Sequence, residues 1–105
     1  MAIFKNDDID GETDTLVRDR IELPKKYKVL MHNDDATPMD FVIQVLKGIF
    51  RKSQAEAIYL TLQIHNEGIG LCGVYTKEIA EAKVEIVRNT ALQNQFPLSC
   101  TMEEE

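Results

Sequence analysis

From residue 25 onward the apolar residues switch between two spacings, and the switches mark out six elements. Tyr27-Lys28-Val29-Leu30-Met31 is a short β-prone run and predicts a first strand. Met39, Val42, Leu46, Ile49 and Phe50 recur at helical spacing. Phe41 and Val45 widen that face, which predicts a largely covered helix from Pro38 to about Phe50. Ser53 with Glu56 forms a capping-box signature, and a second helix is expected from Gln54 to about Asn66, stopped by Gly68. Its apolar side is assigned to Ala57, Ile58, Thr61, Leu62, Ile64 and His65. Ile69–Tyr75 predicts a second strand, broken by Gly70 and Gly73. Thr76 is placed as the cap of a third helix, Lys77 to Gln93, with Ile79, Val84, Ile86 and Val87 apolar. Pro97 ends the next loop, and Leu98–Met102 predicts a third strand. The order β-α-α-β-α-β forces no parallel crossover. It predicts a compact single-domain α+β sandwich, with a three-stranded antiparallel sheet packed against three helices.

Residues 1–24 follow another pattern. They are polar, lack sustained periodicity and are expected to be a flexible acidic extension, with a short helix possible near Leu16–Ile21; Pro24 marks the boundary to a core domain at 25–105. The formal charge of −6 belongs to the tails. Residues 1–22 carry seven acidic and three basic side chains, and the last three residues are Glu. Residues 23–102 hold nine Lys/Arg against eight Asp/Glu, which provides no basic patch for nucleic acid. No run approaches a membrane span, and no apolar signal region follows Met1, so a cytoplasmic protein is expected. Cys72 and Cys100 both lie in apolar runs, which points to buried free thiols rather than a disulfide framework.

The richest stretch is Asn33-Asp34-Asp35-Ala36-Thr37-Pro38-Met39-Asp40. A strand runs into polar groups and a helix starts at once behind them. The pattern puts Thr37 at the N-cap, Pro38 at the first helical position and Asp40 three residues after the cap. Asn33, Asp34 and Asp35 are left on a rigid corner with no cation nearby in sequence, and such an acceptor cluster recognises cations or donors. The alternative is a plain turn, since Asn and Asp bond their own backbone two residues on. His65, at the end of the second helix where the dipole favours a donor-rich imidazole, joins the cluster as a candidate. It could equally be an ordinary helix-end residue. His32 precedes Asn33 and should point to the opposite sheet face. One His and two carboxylates fall short of a zinc set without a second spaced His or Cys. No Gly-rich phosphate loop or nucleophile context appears, so neither an enzyme nor a cofactor is expected.

If the first two helices are antiparallel neighbours, the start of one lies beside the end of the other. Thr37, Met39, Val42, Thr61, Ile64 and Leu98 would then form a small apolar cup beneath Asn33, Asp34, Asp35 and His65, unless they are simply core. Such a cup suits a ligand with one cationic and one apolar end.

At these residues the chain resembles the ClpS family. The likeness rests on Lys28-Val29-Leu30, Asn33-Asp34-Asp35-Ala36-Thr37-Pro38-Met39-Asp40-Phe41-Val42, Ile64-His65, Gly73-Val74-Tyr75-Thr76, Glu78-Ile79-Ala80-Glu81, Lys83-Val84 and Pro97-Leu98-Ser99-Cys100-Thr101. It runs unbroken over about residues 25–102. The resemblance implies an adaptor for N-degrons, meaning substrates that begin with Leu, Phe, Tyr or Trp and keep a free α-amino group. It would deliver them to the N-terminal domain of a ClpA-type AAA+ unfoldase, which feeds the ClpP peptidase. It further implies that Asn33, Asp34, Asp35 and His65 surround the amino group and that Thr37, Met39, Val42, Thr61, Ile64 and Leu98 line the side-chain pocket. Glu78 and Lys83 would contact the unfoldase, and the N-terminal extension would assist delivery. Thr61 departs from the family, where Met is usual, and is expected to change the ranking among N-terminal residues. The competing expectation is a small structural interaction domain with a filled core and no peptide pocket, an outline resembling the C-terminal domain of the ribosomal stalk protein.

Overall fold

The computed structural model describes residues 23–105, so the possible helix at Leu16–Ile21 and nearly all of the acidic extension lie outside the described residues. The elements are β1 (Lys26–His32), α1 (Met39–Gly48), α2 (Gln54–Glu67), β2 (Ile69–Thr76), α3 (Lys77–Gln93) and β3 (Ser99–Glu104). β1 is the central strand of an antiparallel sheet ordered β2-β1-β3. The fold is the expected α+β sandwich.

Alternation along β1 divides the sheet into two faces. Val29 and Met31 are fully buried, while Lys28, Leu30 and His32 are only partly covered. Cys72 and Cys100 join the buried face from the outer strands, and both thiols are free. Burial pushes Cys72 up to about 12 and Cys100 up to about 11, which keeps both protonated and unreactive in the folded protein. The helices cover this face. α1 contributes Val42, Val45 and Leu46, α2 contributes Ala57, Leu60 and Ile64, and α3 contributes Ala80, Val84, Val87 and Ala91.

Two helix faces differ from expectation. In α2 the buried stripe is Ala57, Leu60, Thr61 and Ile64, a clean i, i+3, i+4, i+7 pattern. Ile58 and Leu62 stand one position off it and are exposed. In α3 the small Ala80 and Ala91 complete the buried stripe, while Ile79 and Ile86 face outward. Close packing onto the sheet favours small side chains over large ones here. Thr76 does occupy the α3 N-cap, but its side chain makes no cap hydrogen bond.

α1 is shorter than its apolar pattern. It ends at Gly48, and the chain turns through Arg51, whose φ is 60°, into α2. The Lys83 ammonium donates to the carbonyl of Ile49 at 2.6 Å and lies 5.6 Å from the centre of the Tyr75 ring. It thus satisfies a carbonyl at the end of α1. The capping box of α2 forms in full, with Ser53 N–H donating to Glu56 Oε1 at 2.9 Å and Glu56 N–H donating to Ser53 Oγ at 3.1 Å. β2 is not broken by its glycines. It runs on through a bulge between its Leu71–Leu30 and Gly73–Val29 pairings. A Cβ at Gly70 would stand 2.6 Å from Ile64 Cγ1 and 3.0 Å from Leu60 Cδ1, so the missing side chain is what lets α2 lie close to the sheet.

Candidate functional site

The end of α2 fixes the first part of the site. Gly68 takes the left-handed conformation, φ 89°, and its N–H donates to the Ile64 carbonyl at 2.8 Å. The Gly68 carbonyl then accepts from the N–H of Asn33 at 2.9 Å. One glycine therefore ties the last turn of α2, which carries His65, to Asn33, the residue that follows β1.

Asp34 fixes the second part. Its Oδ1 accepts from the N–H groups of Ala36, at 2.9 Å, and Thr37, at 2.8 Å, and its Oδ2 accepts from the Thr37 hydroxyl at 2.7 Å. This is the turn alternative realised at one of the two aspartates. It also moves the helix start. Thr37 gives its hydroxyl to Asp34 instead of capping, and Pro38, in extended conformation with ψ 145°, is the N-cap. The carbonyl of Pro38 accepts from Phe41 and Val42, and α1 begins at Met39. The helix starts one residue later than the spacing of Thr, Pro and Asp predicts, because a carboxylate that accepts from three donors outcompetes a hydroxyl cap.

Between these two anchors lies a cavity of about 210 Å³. All ten residues expected at the amino-group and side-chain sites border it. They divide by exposure. Val42, Thr61, Ile64 and Leu98 are buried and make the floor. Asn33, Asp35, His65 and Met39 are exposed and make the rim, with Asp34 and Thr37 half-buried between them. Asn33 and Asp35 accept no hydrogen bond at their side chains from the described residues, so their oxygens are fully available to a ligand, whereas Asp34 has only part of its Oδ2 left. The expectation of a filled core does not hold at this place, since the protein's own side chains leave the hollow open. Among the described residues no three His, Cys, Asp or Glu side chains converge as a metal ion would need.

His32 also borders the cavity, although its position on β1 pointed it away. Its Nε2 lies 2.7 Å from Thr101 Oγ1 on β3. Because it directly precedes Asn33, the bend at the end of β1 brings its flank to the cavity edge; adjacency to Asn33 was the available signal. Glu78 and Lys83, expected at a partner surface, are not at the cavity. Glu78 is exposed in the first turn of α3, while Lys83 is half-buried and bonded to Ile49.

Comparison with known proteins places this architecture. The family model described as "ATP-dependent Clp protease adaptor protein ClpS" matches residues 22–101. The Clp protease adapter protein ClpS of Oleidesulfovibrio alaskensis is 50% identical over 93 residues, 89% of either chain. That of Bartonella quintana is 51% identical over 87 residues, 83% of this chain and 79% of the other. Among solved structures, Agrobacterium tumefaciens ClpS2 bound to L-phenylalaninamide superimposes with a TM-score of 0.77 at 37% identity, over 79% of this chain and 100% of that one. The chain belongs to the ClpS family, the adaptor proteins of the ATP-dependent Clp protease.

Proposed function

We propose that this adaptor holds the first residue of a client polypeptide in the cavity, with the client's free α-amino group at the rim and its side chain on the floor. The division of one cavity into an acceptor rim and an apolar floor carries this reading. An α-ammonium brings three N–H donors. The Asn33 amide oxygen, the Asp35 carboxylate and a ring nitrogen of His65 can accept them. Asp34 has a different role from these three. It is chiefly a positioning residue: three of its about four acceptor sites already serve Ala36 and Thr37, and Oδ2 keeps one for the ammonium. Burying a Leu or Phe side chain against Val42, Ile64 and Leu98 contributes about 1.5–3 kcal/mol. β-branched first residues fit poorly, because their second Cβ substituent is stiff and meets the rim at Met39. N-terminal Leu, Phe, Tyr and Trp are the expected ligands, in line with the phenylalaninamide held by the Agrobacterium relative.

Delivery follows from the family. The partner is the N-terminal domain of a ClpA-type AAA+ unfoldase. Glu78 and the exposed side of α3 are its expected contact, with Lys83 supporting that surface from within through Ile49. The acidic extension at 1–24 would engage the unfoldase during transfer, and the cytoplasm is where that partner works. Among the described residues no helix is long and apolar enough to cross a membrane.

Calorimetry with a Phe-initiated peptide and its N-acetylated twin tests the reading. The free peptide should bind and the acetylated one should not, because acetylation removes the charge and leaves acceptors unmatched, at about 1–3 kcal/mol per group. Equal binding of the two would overturn it. An adaptor also returns the peptide unchanged, whereas cleaved peptide would point to an enzyme. Thr61→Met should reorder the preferred first residues while the free-amine requirement persists.

A further inference from the structure

Thr61 is the one polar or charged side chain that is buried among the described residues, 3% exposed, and it lies on the floor of the cavity. Its hydroxyl donates to the carbonyl of Ala57, one turn earlier in α2, at 2.7 Å. A hydroxyl has one hydrogen and two lone pairs. With the hydrogen committed to the helix backbone, Thr61 can only accept, and among the described residues no donor is bonded to its Oγ1. The neighbouring floor residues Val42, Ile64 and Leu98 offer no polar atom from their side chains. Among the buried residues of the cavity, Thr61 is therefore the one whose side chain offers a fixed acceptor.

Its position along α2 sets what can reach it. His65, on the rim, is four residues further on and on the same helix face. Thr61 is thus about 6 Å below His65 along the helix axis, on the scale of an aromatic side chain's reach. A residue whose amino group sits at His65 presents the far edge of its ring near Thr61. We infer that Thr61 makes the pocket select ring-edge donors, so that clients beginning with Tyr, through the phenol O–H, or Trp, through the indole N–H, are favoured over Phe and Leu. This rests on the client-binding reading above and refines it. A buried acceptor discriminates against the analogue that leaves it unpaired more sharply than an apolar wall discriminates by size.

The experiment measures dissociation constants by calorimetry for peptides that differ only in their first residue. One pair is Tyr and Phe. The other is Trp and benzothienylalanine, in which sulfur replaces the indole N–H. Each is titrated into the full chain and into Thr61→Val, which keeps the shape and removes the oxygen, and Thr61→Ser, which keeps the oxygen. The helix carbonyl of Ala57 retains its backbone partner in each, so both variants should fold. The expected result is a Tyr/Phe affinity ratio that drops about fivefold in Thr61→Val, the scale of one neutral hydrogen bond. The ratio should be kept in Thr61→Ser, and the Trp pair should move in parallel. A ratio unchanged by Thr61→Val overturns the inference while Phe peptide still binds. Failure of every peptide to bind the unmodified chain overturns the client-binding reading itself, and this inference with it.

Discussion

Two turns in this molecule lead into helices through an acidic side chain, and they dispose of that side chain differently. At the entrance to α2, Ser53 and Glu56 satisfy each other's backbone N–H groups. At the entrance to α1, Asp34 alone gathers three donors of its own turn. Its neighbours Asn33 and Asp35 are thereby held in place with their acceptors unspent. The difference teaches that a carboxylate beside a helix start is a brace or a ligand according to the donors it has already met. Two adjacent aspartates can take one role each.

The sharpest way to break the contrast is Asp34→Ala. It removes the shared acceptor of Ala36 and Thr37, and should cost about 2–3 kcal/mol in urea unfolding. Peptide affinity should fall at least about 100-fold, because the rim loses its support. If stability fell while affinity held, Asp34 would not position the rim. Next is Asp35→Ala, which should leave unfolding within about 0.5 kcal/mol of the parent. It should weaken a Phe-initiated peptide roughly 30-fold, the loss of one charge-assisted hydrogen bond of about 2 kcal/mol. An unfolding midpoint that dropped with it would make Asp35 a second brace. Gly70→Ala tests the far wall. The added methyl must push Ile64 or Leu60 aside, at a cost of about 1–2 kcal/mol, and peptide affinity should weaken several-fold because Ile64 is floor.

The smallest effects belong to the other turn. Ser53→Ala should cost about 1 kcal/mol in unfolding and leave peptide affinity as it was. The Ser53 backbone N–H, then its hydroxyl, hold the Glu56 carboxyl below its ordinary 4.5. A carboxyl lowered in the folded state adds stability above its ordinary value, and that stability is lost as pH falls through the lowered one. Glu56→Gln should therefore flatten the loss of stability below pH 4.5, which a pH series of urea midpoints would show.

Element order and type are legible in the sequence because the periodicity of β1, α2 and α3 is carried by burial on one sheet face. The cavity residues are legible too, since the apolar pattern and the polar corner fall at adjoining helix ends. What periodicity misses is competition between neighbours. It cannot tell that Thr37 gives its hydroxyl to Asp34, which shifts the cap to Pro38. Nor does it favour Ala80 and Ala91 over Ile79 and Ile86 for the face against the sheet, because hydrophobicity ranks the larger residues higher while the narrow gap selects the smaller. Lys83 is opaque for a related reason: a charge in a helix reads as solvent-facing until a carbonyl such as that of Ile49 is found within its reach.

The bond from Asn33 N–H to the Gly68 carbonyl joins the residue after β1 to the C-cap of α2, 35 residues apart, and an occupant of the cavity would touch Asn33 on one side and His65 on the other. Cargo held there would act as a rivet across the joint. At a free concentration 100 times its dissociation constant it would add about 2.7 kcal/mol to the fold by mass action alone. The adaptor's own melting point would then become a gauge of loading, and a loaded adaptor would be harder to pull apart than an empty one.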